Sequence, residues 1–332
     1  MPYLGGEELK RVYELAQRDR FALVANNFAE PNVLLGLLSA YEEAKSDLLL
    51  QISLGAAKFA GGGRPLPGLR ALVGYVRALA AGTGIGVFVN LDHITPDHID
   101  DFLRPAIEEG LCSSAMIDAS ALPFEENVAA TREVVKFAHP HGVLVEGELG
   151  KIKGVEDEVA SDEAFYTDPD EALEFVEETG VDLLAVSVGT QHGVSKGRDL
   201  VLRVDLARRI DERLRGAGFR VPLVLHGASG LSGDQVKALV AAGVCKVNKD
   251  TTYQYVYAQA ACSFYLESRN AILPPEGVAF DPITFEASSG QWSPEKKLFD
   301  PRVVGRKVQA AISEVARECL RQVGSEGRSI YA

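Results

Sequence analysis

The stretch Val87-Phe88-Val89-Asn90-Leu91-Asp92-His93 runs from β-forming apolar residues straight into an acid and an imidazole. Gly84 and Gly86 precede it, and Thr95-Pro96-Asp97 follows with a turn and a helix start. Such a run is a buried strand that delivers Asp92 and His93 at its carboxyl end. In parallel α/β folds the carboxyl ends of strands carry the chemistry. A turn aspartate and a core histidine would satisfy this stretch alone, so the rest of the chain has to decide.

Outward from it the same pattern repeats. Apolar residues at helical spacing (Leu9, Val12, Tyr13, Leu15, Ala16) predict a helix near the start. Strands are expected over residues 21–25, 48–52, 87–91, 115–117, 143–145, 183–188, 223–225 and 245–247, with helical stretches between them. Eight strand–helix units predict an α/β fold, a (β/α)8 TIM barrel with additional N- and C-terminal helices. A doubly wound open sheet would call for a Gly-x-Gly-x-x-Gly turn after the first strand, and none is present. The expected organisation is a single barrel domain over residues 1–332. Within it, residues 251–332 form a C-terminal helical segment packed on the barrel and contributing to a dimer interface. Residues 55–68, rich in Gly and Pro, are expected to be loop. Residues 150–167 are polar, carry glycine and lack apolar periodicity, which predicts a functional loop.

Composition narrows the function. The 34 basic and 47 acidic residues give a net charge of −13, spread along the chain. General nucleic-acid binding needs basic patches, so it is excluded, whereas a small anionic substrate held by local donors is not. With 46% apolar residues the chain can bury a large core. The four widely spaced cysteines (Cys112, Cys245, Cys262, Cys319) read as buried thiols of a reducing cytoplasm. No basic-then-apolar leader opens the sequence, and no apolar run reaches about 18 residues. A soluble, cytoplasmic protein with no membrane partner is expected.

The predicted strand ends gather Asn27, Ser53, Asp92, His93, Asp118, Glu148, His192, His226, Asn248 and Asp250. Three of the six histidines fall just past separate strands; His98, His139 and His141 fall in helices or loops and should face solvent. Barrel closure would bring His93, His192 and His226 to one mouth, where three imidazoles with an open fourth position suit a catalytic zinc. Ser53, the loop His226-Gly227-Ala228-Ser229-Gly230 and the turn Asn248-Lys249-Asp250-Thr251 offer hydroxyls and backbone N–H groups. Loops after the last two strands of such barrels often cradle phosphate beside a helix N-terminus.

Several motifs then occur in one order: Leu91-Asp92-His93, Ile117-Asp118-x-Ser120, Glu125-Glu126-Asn127, Glu148-Leu149-Gly150, Gly154-x-Glu156-Asp157, His192-Gly193, His226-Gly227-x-Ser229-Gly230 and Asn248-x-Asp250-Thr251. This series resembles the class II, zinc-dependent fructose-bisphosphate aldolase family, from about Phe21 to Val323. Lys297-Leu298-Phe299-Asp300-Pro301-Arg302 is similar to the longer, dimeric branch of that family. The resemblance implies reversible cleavage of fructose 1,6-bisphosphate to dihydroxyacetone phosphate and glyceraldehyde 3-phosphate through a zinc-stabilised enediolate. It assigns His93, His192 and His226 to the metal, Glu148 as a further ligand, and Asp118 with Glu148 to an alternate metal position. Glu156 would take the C3 proton, and Asp92 would protonate the aldehyde oxygen. Gly193, Lys196, Gly227, Ser229, Asn248, Asp250 and Thr251 would surround the first phosphate. Asn27 and Ser53 would touch substrate, and Arg302 would reach the second phosphate from a partner subunit. A monovalent cation, K⁺ or Na⁺, is implied near Gly193 and Gly227. Co²⁺, Mn²⁺ or Fe²⁺ would also suit imidazole ligands.

The chain departs from the family pattern at Asn90, Val155, Ser195, Ala228, Lys249 and Thr252, none of which removes a ligand or the acid/base pair. Tagatose, sedoheptulose or a modified hexulose phosphate would keep the mechanism with another sugar. A Schiff-base aldolase using Lys246 or Lys249 would leave the histidines without purpose. A non-catalytic sugar-phosphate-binding barrel would have no use for Asp92 and Glu156.

Overall fold

The computed structural model describes residues 3–150, 154–156, 159–161, 166–191 and 201–331, the two short stretches 154–156 and 159–161 as backbone only. Eight parallel strands close into a barrel: β1 (Leu23–Asn27), β2 (Leu48–Ser53), β3 (Val87–Ile94), β4 (Ser114–Ile117), β5 (Leu144–Leu149), β8 (Leu183–Val186), β9 (Leu223–Leu225) and β10 (Val244–Lys249). The ring is sealed where β1 pairs with β10, Leu23 opposite Lys246 and Ala25 opposite Asn248. Between β5 and β8 a small antiparallel pair forms, β6 (Gly154–Glu156) with β7 (Val159–Ser161). That stretch, expected as loop, has backbone pairing of its own.

Helices lie between and around the strands: α1 (Gly6–Asp19), α2 (Pro31–Ala44), α3 (Leu54–Ala60), α4 (Pro65–Ala80), α5 (Arg104–Glu108), α6 (Phe124–Ala138), α7 (Pro169–Thr179), α8 (Val204–Gly216) and α9 (Gly233–Ala241). The C-terminal set is α10 (Thr251–Glu267), α11 (Arg269–Ile272), α12 (Lys296–Phe299) and α13 (Pro301–Val323). Two expectations fail locally. The Gly- and Pro-rich region after β2 folds as α3 and the start of α4, because Ser53 caps Ala56 N at 3.1 Å and Pro65 sits at a first helical turn, where proline is tolerated. The helix expected to start at Asp97 breaks into 3₁₀, π and α pieces. Cys262 is exposed, unlike the other three cysteines. His98, His139 and His141 do bond outside the barrel, to Asp101, Asp182 and the Phe137 carbonyl.

The apolar residues form two cores. One lies between strands and surrounding helices; the other fills the lower barrel with Leu23, Leu49, Phe88, Leu144 and Leu183, closed from below by Leu9, Val12, Tyr13 and Ala16 of α1. Alternation along each strand then makes the upper interior polar: Gln51 and Ser53 on β2, Asn90 and Asp92 on β3, Glu146 and Glu148 on β5. Among the described residues, no helix is long and apolar enough to cross a membrane.

The outer layer is tied down by α13, which lies against α2 and α10. The contact with α2 is close because Gly36 has no side chain; a Cβ there would meet Gln309 O at 2.7 Å and Ile312 Cβ at 2.8 Å. In an open helix Gly→Ala gains about 1 kcal/mol. Here overpacking, typically about 1–3 kcal/mol, should outweigh that gain. Gly36→Ala is therefore expected to lower the chemical-denaturation midpoint, and a raised midpoint would show that the helices part freely.

Candidate active site and metal centre

Asp92 and His93 are neighbours in sequence, and a regular strand would turn them to opposite faces. The structure brings both into the barrel. His93 takes a left-handed conformation, φ 50°, and the pairing of β3 with β4 slips between Leu91 and Ile94, as at a β-bulge. Asp92 is fully buried and His93 nearly so. His226, at the carboxyl end of β9, meets His93 edge-on with ring centroids 4.6 Å apart.

The ring nitrogens are assigned by their carboxylate partners. His93 Nδ1 faces Asp118 Oδ2 at 2.9 Å, and His226 Nε2 faces Glu146 Oε1 at 2.9 Å. An ionised carboxylate can only accept, so each of these nitrogens carries the proton. The opposite nitrogens, His93 Nε2 and His226 Nδ1, then point lone pairs at each other across 2.9 Å. Two lone pairs at that separation repel unless a cation or a donor lies beside them, and Asn248 Nδ2 stands 3.2 Å from His226 Nδ1. Burial pushes the His226 imidazole down, which keeps it neutral as a ligand must be.

The carboxylates complete the set. Ligand atoms of Asp92, His93 and His226 lie within 4.8 Å of one another, as do those of His93, Asp118 and Glu148. Burial works to raise the Asp118 carboxyl, but His93 and Ser120 outweigh it and hold it well below the usual range. Glu148 is displaced the other way, by burial and then by the Asp118 charge, and its Oε2 is buried with no hydrogen-bond partner among the described residues. Asn248 Oδ1 is likewise buried without a partner among the described residues. Imidazole nitrogens turned inward with an orphaned carboxylate oxygen beside them fit a divalent cation such as Zn²⁺.

Beneath His226 lies a buried ion pair absent from the sequence-based site. Lys246 Nζ binds Glu146 Oε2 at 2.7 Å with both side chains wholly inaccessible. Burial would raise the Glu146 carboxyl, yet Lys246 first and His226 next hold it down at about 2. Period-two alternation was the available signal, since Glu146 precedes Glu148 by two and Lys246 precedes Asn248 by two. Ion pairing also leaves Lys246 no role as a neutral amine nucleophile.

The other expected residues divide. Asn27 Nδ2 donates to Asp92 Oδ2 at 2.8 Å, and Asn248 Nδ2 approaches Asp92 Oδ1 at 3.5 Å. Ser53, Asn27 and Asp250 line a cleft of about 480 Å³ with Phe28, Phe59, Tyr253 and Tyr257. Gly227 adopts φ 62°, and a Cβ there would meet the Gln191 backbone at 2.7 Å, so this turn requires glycine. Ser229 and Thr251 are half-buried, Thr251 in the first turn of α10. Arg302 is not brought to this cluster; it is 81% exposed and pairs with Asp300. His192, Gly193, Lys196 and the side chain of Glu156 lie outside the described residues.

Residues 7–328 match the family described as fructose-bisphosphate aldolase class-II. The chain belongs to that family. It is 32% identical over 323 residues to a fructose-bisphosphate aldolase of Geobacillus stearothermophilus, covering 97% of this chain and 98% of the relative. It is 36% identical over 284 residues to that of Treponema pallidum (strain Nichols), covering 75% and 82%. Among solved structures, the YdjI aldolase of Escherichia coli K12 is 29% identical with a TM-score of 0.71, covering 99% of this chain and 100% of that one. The fructose-bisphosphate aldolase of Campylobacter jejuni shares the fold at TM-score 0.84 and 24% identity, covering 99% and 97%.

The chain is thus a lyase of the class II aldolase family, whose members depend on a metal and bind sugar phosphates. Lys249, Ala228 and Thr252, read from the sequence as departures from the family pattern, lie in one hydrogen-bonded region. Lys249 Nζ donates to Ala228 O at 2.9 Å, and Thr252 Oγ1 donates to Ser229 Oγ at 3.0 Å. The loops after β9 and β10 are therefore tied together by side chains.

Removing Lys246 strands the Glu146 charge, a change that typically costs about 3–5 kcal/mol. Lys246→Met should destabilise by that order, and adding Glu146→Gln should restore part of it, as read by chemical denaturation. The pair's contribution is complete above the ordinary glutamate value of 4.5 and is lost as pH falls through about 2. The stability gap between wild type and Glu146→Gln should accordingly narrow from pH 6 to pH 3. A gap independent of pH would contradict the assigned charge.

Proposed function

We propose that this aldolase reversibly cleaves fructose 1,6-bisphosphate to dihydroxyacetone phosphate and glyceraldehyde 3-phosphate with Zn²⁺ as its metal. The observation that carries the reading is the convergence of His93 Nε2 and His226 Nδ1 beside Asp92. His192 completes the metal ligands, with Glu148 or Asp118 as a further position. When bound, the metal supplies a Lewis acid that polarises the ketose carbonyl.

The chain's own residues do the rest. Asp92, oriented by Asn27, holds and returns the proton at the aldehyde oxygen. Glu156 takes the C3 proton. The first phosphate rests on Gly193, Lys196, Gly227, Ser229, Asn248, Asp250 and Thr251, where the 17-residue helix α10 turns its positive end toward it. K⁺ or Na⁺ near Gly193 and Gly227 belongs to the same reading.

The aldehyde half fits the 480 Å³ cleft beside Asn27 and Ser53. Its described lining includes the acids Glu30 and Asp250 and no lysine or arginine. A second phosphate would therefore draw on Arg302 of another copy. Tyr255, Tyr265 and Leu266 on α10, and Leu273 just beyond it, leave apolar surface exposed. We assign this surface of residues 251–332 to a homodimer contact. The cation-free lining also keeps a second reading open, the same chemistry on another ketose phosphate.

Fructose 1,6-bisphosphate cleavage, assayed as purified, after EDTA and after adding back Zn²⁺, tests the assignment. Activity should vanish on chelation, return with zinc and resist borohydride; metal-loaded protein with no turnover would remove this sugar. Arg302→Ala should raise KM for the bisphosphate about 10–100-fold, the worth of a charge-assisted contact, and leave KM for fructose 1-phosphate unchanged. Equal effects on both sugars would place Arg302 outside the site.

A further inference from the structure

We infer that a one-way hydrogen-bond ladder inside the barrel, Ser114–Asn90–Gln51–Asn27, positions Asp92 for its step on the aldehyde. The inference deepens the function proposed above and rests on that reading.

All four links are short. Ser114 Oγ donates to Asn90 Oδ1 at 2.7 Å, Asn90 Nδ2 to Gln51 Oε1 at 2.9 Å, Gln51 Nε2 to Asn27 Oδ1 at 2.7 Å, and Asn27 Nδ2 to Asp92 Oδ2 at 2.8 Å. Every member is buried. The ladder follows the barrel register, with Asn27 opposite Gln51, Gln51 opposite Asn90 and Asn90 opposite Ser114. It occupies the interior tier between the apolar floor and the metal-ligand tier.

Its direction is forced by chemistry. The Asp92 carboxylate can only accept, so Asn27 must present its NH₂ there and its carbonyl to Gln51. Gln51 must then donate to Asn27 and accept from Asn90. Asn90 in turn accepts from the Ser114 hydroxyl, which can rotate to donate. A flipped amide at any step would set two donors or two acceptors face to face in a site closed to water. Each amide therefore has one orientation, and Asn27 is fixed for donation to Asp92. Asn90, one of this chain's departures from the family pattern, is the link that joins β3 to β2.

Gln51, Asn90 and Ser114 are positioning residues, since none of them reaches Asp92 itself. Their role separates two reactions. Exchange of the C3 hydrogen of dihydroxyacetone phosphate with solvent uses the metal and Glu156, whereas cleavage and condensation also use Asp92. Loosening the ladder should slow the second and spare the first.

The test compares wild type with Gln51→Met, close in size but without polar ends, and with Gln51→Glu, equal in shape but unable to donate to Asn27 when ionised. Both reactions are measured on the zinc-loaded protein, with metal content and thermal midpoint recorded. Cleavage kcat should fall about 10–100-fold, as for a group displaced by about 1 Å, while hydrogen exchange stays within about twofold. Ser114→Ala, at the far end, should cost less than either. Should Gln51→Met not fold, Gln51→Glu carries the comparison. Cleavage at the wild-type rate, or an equal fall in both reactions with zinc content unchanged, would overturn the ladder's role. Wild type inactive in both reactions would instead sink the aldolase assignment and the ladder's role with it.

Discussion

The fully buried carboxylate of Glu146 is the charge on which the site depends. Moving such a group out of water costs several kcal/mol, which Lys246 and His226 compensate. The hydrogen bond to His226 fixes one tautomer and so selects Nδ1 as the atom turned toward His93 Nε2. Asp118 does the converse for His93, holding Nδ1 and freeing Nε2. Two carboxylates on opposite ring nitrogens make the two imidazoles converge. Without them the rings would be ordinary core histidines.

That arrangement is possible because stability and chemistry occupy different heights of one barrel. The lower interior is hydrocarbon and sealed by α1, so the upper interior can hold amides and charges that contribute little packing. The left-handed backbone at His93 costs about 1–3 kcal/mol. It persists because pairing on both sides of β3 constrains it, with β2 matched residue by residue and β4 slipping past it.

The fold was legible because buried parallel strands advertise themselves as short apolar runs, and eight of them between helices leave few architectures. Strand limits shifted by up to four residues, mostly where polar inward-facing residues such as Glu146 and Asn248 extend the pairing beyond the apolar run. Asp92, His93, His226, Asp118 and Glu148 were legible because they stand just past those runs. Glu146 and Lys246 were not, because neither a carboxylate just past one apolar run nor a lysine inside another gives a sign of which partner satisfies it across 100 residues. Gln51 and Asn90 were hidden similarly: their meaning lies in neighbours across the barrel wall. The helix α3 was lost to the glycines and prolines that follow it, Gly61 to Gly63, Pro65 and Pro67, and there a capping serine overrode composition.

Closure of the ring has a temporal meaning as well as a geometric one. Asp92 is gripped from the first strand by Asn27 and approached from the last by Asn248. Those strands meet only when residues more than 200 apart in sequence pair along the β1–β10 seam. Contacts of such separation form slowly. A growing or partly opened chain can therefore own most of its helices and strands and still leave Asp92 without these two amides. Ring closure and assembly of the Asn27–Asp92–Asn248 cluster are a single event.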